Sequence, residues 1–160
     1  MERQLPNLYE NSGYQFERRE RKTLILDVSI PDKDVLTFSK ELHEPLRIDK
    51  LSDIYLDSFT TFTAVENDAV DNMAFVLGID QFNINSNSNS GTIFNKIIIP
   101  NDASSATETR VHKGKKMNYI CSINPETLTT ISGTITDLGK TRAFEDDSRF
   151  IAEFVIIARD

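Results

Sequence analysis

The residues with the chemistry to act on a substrate or hold a metal are few and poorly matched. Two histidines, His43 and His112, stand 69 positions apart and neither belongs to an H-x-H pair. A metal-binding cupin needs a cluster of imidazoles, so this pair is too sparse for one. The single cysteine, Cys121, alternates with Tyr119 and Ile123, which predicts a small buried hydrophobe and not a nucleophile. No G-x-S-x-G, P-loop or G-x-G-x-x-G spacing occurs. Glu66, Asp68 and Asp71 share one acidic stretch, but its spacing departs from D-x-[DN]-x-[DN]-G, so calcium is not indicated. Carboxylates are plentiful, and a pair suited to glycoside hydrolysis stays open. The chain has no Trp for stacking on sugars. The expectation is a protein without catalytic residues, cofactor or metal.

The locally basic stretch is different in kind. Arg110, His112, Lys113, Lys115 and Lys116 close the longest loop, residues 101–116. Long loops in compact domains are often functional. With the acidic loop around Glu66, Asp68 and Asp71, this basic end forms a candidate protein–protein interface. A second candidate is the polar, aperiodic start of the chain. Residues 1–21 carry Leu5, Leu8, Tyr9, Tyr14 and Phe16 among polar neighbours, as an arm ordered by a partner would. The remaining residues, 22–160, read as one domain.

Strands must position these groups. Leu24, Leu26, Val28 and Ile30 alternate over residues 22–30 and predict a half-buried strand. Residues 32–49 admit two readings: short strands at 35–38 and 44–48, or a helical turn at 38–43. Residues 51–65 read as one long strand, with Ile54, Leu56, Thr60 and Phe62 on one face and Tyr55, Asp57, Phe59 and Thr61 on the other. In residues 73–84 the phase of Phe75, Leu77 and Ile79 is lost at Phe82 and Ile84, so a bulge or bend belongs at Asp80-Gln81. The polar run 85–91 then tips a hairpin whose second strand covers 92–99. Residues 117–138 read as two strands joined by the turn Asn124-Pro125-Glu126-Thr127. Residues 149–159 are apolar on both faces, as an interior strand requires.

About eight strands at this spacing, without a convincing helix, specify an all-β sandwich or barrel. The Cys…Trp…Cys pattern of an immunoglobulin domain is missing, and long strands with uneven loops favour a single jelly roll of antiparallel strands in two sheets. The formal net charge of −7 argues against a general nucleic-acid binder. No stretch approaches the roughly 20 apolar residues of a membrane span. The first residues have no apolar run, so no signal peptide is expected.

Three phrases carry a family resemblance: FNKIIIPND (94–102), KGKKMNYICSINPETLTTISGTITDL (113–138) and RFIAEFVIIARD (149–160). They resemble the small jelly-roll capsid proteins, of penton or minor capsid type, of large nucleocytoplasmic DNA viruses. The likeness covers roughly residues 52–160 and is one of strand texture. It implies a structural protein of the virion, made in the host cytoplasm. It implies assembly as a homo-oligomer, a pentamer for a penton, beside a double jelly-roll major capsid protein. It transfers no catalytic residue. The other open reading is a carbohydrate- or protein-binding β-sandwich module.

Overall fold

The computed structural model describes residues 19–65, 70–102, 109–112 and 117–159. Nearly all of the arm at 1–21 lies outside these residues, and the described chain enters its first strand at Arg21. Nine strands occur among the described residues: β1 (Arg21–Ile30), β2 (Thr37–Ile48), β3 (Ser52–Ala64), β4 (Ala74–Ile79), β5 (Ile97–Pro100), β6 (Arg110–His112), β7 (Asn118–Ile123), β8 (Glu126–Thr136) and β9 (Phe144–Ala158). Among the described residues the one helical element is a 3-10 turn at Val70–Met73.

Two antiparallel sheets result. One runs β1-β9-β3 and is completed by β6 and β7; the other runs β2-β8-β4-β5. β6 pairs with Phe59–Thr61 and β7 with Ser52–Leu56, while β9 takes the opposite edge of β3. The two short strands therefore fill one position, end to end, leaving eight positions in all. The first strand pairs with the last, the second with the last but one, the third with β6 and β7, and the fourth with β5. That nesting is one long ribbon folded back and wrapped into a sandwich, the jelly-roll topology the strand count implied.

The core lies between the sheets. In β1, Leu24, Leu26, Val28 and Ile30 are buried and their neighbours face outward, as period-2 alternation requires. At the centre the rings of Phe59 and Phe150 stack with centroids 5.3 Å apart. Phe75 comes across from the other sheet at 5.3 Å from both Phe59 and Phe144, and Phe38 meets Phe150 edge-on at 5.8 Å. These offset and edge contacts are the arrangements the ring quadrupole favours. β9 lies between β1 and β3, which explains why it is apolar on both faces.

Several local expectations are corrected. β7 and β8 are not a hairpin: β7 joins the sheet of β3, and β8 joins the sheet of β2 and β4. Asn124-Pro125 carries the chain across the sandwich, and Ile123 and Leu128 both end up in the core. Residues 37–48 form one strand, not two strands or a helical turn. Its ladder breaks between Glu41 and Leu46, around Pro45, which has no N–H to give. In β3 the register shifts between Leu56 and Ser58, so the faces swap halfway. Phe59 and Thr61 are buried with Ile54 and Leu56, whereas Phe62 turns out to solvent. A second shift follows before Ala64, where Thr63 takes φ 63°, a strained value for a β-branched residue. The expected bend at Asp80-Gln81 is present as a turn. The strand expected over 92–99 shrinks to β5. Asn95 at φ 55° closes the preceding loop instead, its side chain accepting from the Ser86 N–H at 3.0 Å.

Candidate interaction surface

The registers place four connections at one end of the sandwich. Ile30 at the end of β1 lies opposite Ser148, and Ala64 at the end of β3 lies opposite Phe144. Ala74 at the start of β4 lies opposite Pro100, the end of β5. The β1–β2, β3–β4, β5–β6 and β8–β9 connections therefore emerge together. Both loops singled out by charge, the acidic one at 66–72 and the one at 101–116, start from this end.

Side chains bind these connections into one surface. Asn101 is buried, and its side-chain amide donates to the carbonyls of Val65 at 3.2 Å and Asn72 at 3.0 Å. Its backbone N–H reaches the Met73 carbonyl at 2.9 Å. The buried Asp137 carboxylate accepts from the N–H groups of Gly139 and Thr141, each at 2.8 Å, and from the Thr141 hydroxyl. The Asp71 carbonyl accepts from the Leu138 N–H at 2.9 Å, and the Val65 N–H donates to Ala143 at 3.2 Å. Lys33 N–H donates to the Asp146 carboxylate at 2.8 Å. Buried polar groups satisfied this way hold loops that would otherwise wander.

Of the candidate interface residues, the described ones are Asp71, Arg110 and His112. Asp71 sits in the 3-10 turn, exposed but packed over Gly139: a methyl added there would stand 2.8 Å from its carboxylate oxygen. Arg110 opens β6, half-buried, opposite Thr61, and the backbone of His112 pairs with Phe59. Leu5, Leu8, Tyr9, Tyr14, Phe16, Glu66, Asp68, Lys113, Lys115 and Lys116 lie outside the described residues. The bases of the two charged loops are tied within the chain through Asn101.

What charge reading missed is apolar. Val70 is 75% exposed and Met73 56%, both in the turn before β4. Phe62 and Val35 are also exposed at this end. The same connections and strand ends carry Asp32, Asp34, Asp71, Asp102, Glu145, Asp146 and Asp147, with Lys33, Arg110, Lys140, Arg142 and Arg149 among the described residues. The hint in the sequence was Val70 and Met73 inside a run of Asp and Asn, outside any period-2 pattern.

Elsewhere the surface is tied by side-chain pairs. On the outer face of the β1-β9-β3 sheet, Arg149 forks onto Asp27, and this bond holds the Asp27 carboxyl below its usual range. Arg159 does the same for Asp53, helped by Ser122. Cys121 is buried, and desolvation pushes its thiol up to about 11. A shallow crevice lined by Lys22, Ile48, Asp49 and Ile156 opens at the other end, with room for about one water molecule. Among the described residues no three His, Cys, Asp or Glu gather as metal ligands, and no helix is long and apolar enough to cross a membrane.

The chain matches no family model and no curated protein. Among solved structures it is similar to one of the Gx strain of infectious bursal disease virus, at 12% identity and a TM-score of 0.35. The likeness covers 88% of this chain but 32% of that one, so this chain spans about a third of its length. A likeness at that score carries no functional argument.

Proposed function

We propose that the protein is a structural component of a viral capsid, a single jelly roll that works through protein–protein contacts and not by catalysis. The observation that carries this reading is the loop end: Val70 and Met73 are exposed in a turn braced by Asn101 and Asp137, and Val35 and Phe62 are exposed elsewhere at the same end. Apolar groups held out on a rigid, polar-rimmed surface favour docking against another protein. The resemblance of residues 52–160 to small capsid jelly rolls supplies the setting, and with it the finer reading of a penton or minor component beside a major capsid protein.

The test is co-assembly. The chain is mixed with the major capsid protein of the same virus and the particles are sedimented. The expected result is recovery of the chain in the particle fraction, lost when Val70→Asp and Met73→Asp are combined. A chain that stays in the supernatant while binding a glycan array overturns the reading in favour of a carbohydrate-binding module.

A further inference from the structure

The four sheet edges are unequal. β2 is broken by the interruption at residues 42–45, which includes Pro45. β5 has four residues and ends in Pro100. The edge opposite β1 is split between β6 and β7. These are the devices by which proteins blunt an edge against further pairing. β1 has no break, proline or split; its one such device is Lys22, a charge in the inward phase at its start. The strand runs ten residues in unbroken register with β9, and among the described residues β9 is its only partner strand. Neither Pro nor Gly interrupts it, and Ile25, at its centre, is 60% exposed.

We infer that the β1 edge is a strand-addition site that takes β1 of a second copy, antiparallel about a two-fold axis at Ile25. The side chains of β1 are self-complementary in that register. Ile25 meets Ile25 on the outer face. Thr23 stands opposite Asp27, and Arg21 opposite Ser29, so no like charges oppose. On the inner face Leu24 falls opposite Leu26, both already buried, and the half-buried Lys22 falls opposite Val28. A two-fold interface of this kind uses one patch twice and closes on itself. The inference stands on the edge alone and does not depend on the capsid role.

Sedimentation velocity on the full chain tests it. Wild type is expected to sediment as a dimer at micromolar concentration. Ile25→Lys should lower the dimer fraction at least tenfold and leave the melting temperature unchanged at concentrations where both chains are monomeric. In a Cys121→Ser background, Ile25→Cys should give a disulfide-linked dimer on mild oxidation. Thr23→Cys should not, because its two copies lie four residues out of register. A chain that remains monomeric at high concentration overturns the inference. So does a dimer indifferent to Ile25→Lys. Hydrogen exchange showing β1 amides doubly protected in a monomer overturns it too, because the edge is then occupied by the chain itself. None of these results touches co-sedimentation with capsid particles, so the two readings fail separately.

Discussion

Replacing Phe59 and Phe62 one at a time asks whether β3 changes face at its bulge. An unbroken strand puts Phe62 inward with Ile54 and Leu56 and leaves Phe59 outside. The structure does the reverse: Phe59 is fully buried and Phe62 is 48% exposed. Phe59 stacks against Phe150 and packs against Phe75, both at 5.3 Å. Its truncation removes the buried ring and leaves a cavity bounded by two rigid neighbours. Phe59→Ala should therefore cost about 3–5 kcal/mol. Phe62 has lost only about half its surface to the fold, and the space it vacates fills with water. A fully buried Phe is worth roughly 1.5–3 kcal/mol, so Phe62→Ala should cost about 1 kcal/mol. For a domain of this size 1 kcal/mol moves the melting temperature by roughly 2–4 °C. The two variants should differ by roughly 5–15 °C. Urea titration followed by far-UV circular dichroism gives the free energies directly. Equal costs, or a larger one for Phe62→Ala, refute the bulge and with it the faces assigned to β3.

Three further outcomes follow from the same geometry. Gly133→Ala should be strongly destabilising, because a methyl there runs into the Gly78 carbonyl and comes within 3.1 Å of the Phe38 ring; overpacking of this kind costs about 1–3 kcal/mol, read by urea midpoint. Cys121 should resist a bulky thiol reagent at neutral pH, since its thiol is buried and raised to about 11; rapid labelling of the native chain contradicts this, and Cys121→Ala should cost about 1 kcal/mol. Acid should weaken the fold through Asp27 and Asp53. Their folded values lie below 3.8, so their contribution is complete above the unfolded value of about 3.9 and is lost as pH falls through the lower folded values. Asp27→Asn with Asp53→Asn should flatten the pH dependence of the melting temperature in that acid window, and an unchanged slope counts against both pairs.

The sequence shows β1 and β9 clearly because their patterns are local. Alternation in one and the apolar faces of residues 150–158 in the other follow from local burial, whereas Glu145, Asp146 and Asp147 give the start of β9 the texture of a loop. It fails where one backbone shift decides. Nothing in SDIYLDSFTTFTA marks the residue at which β3 slips, so Phe59 and Phe62 were assigned to the wrong faces. The partner sheet of a strand is equally invisible: residues 117–138 have the texture of a hairpin, yet β7 and β8 belong to different sheets. Turn chemistry at Asn124-Pro125 sets a change of direction, and long-range core contacts choose where the chain goes next. Charge pointed to two loops, of whose candidate residues Asp71, Arg110 and His112 are described; their bases are tied through Asn101. It missed Val70 and Met73, because exposure depends on what the fold leaves uncovered and not on the residues themselves.

Hydrogen exchange on the chain, free and incorporated into capsid particles, tests the central claim most directly. The account predicts that amides of residues 60–64 and 70–73 slow on incorporation, while those on the outer face of the β2-β8-β4-β5 sheet exchange as before. Particles that exclude the chain, or that take it up with the loop end exchanging freely, contradict it.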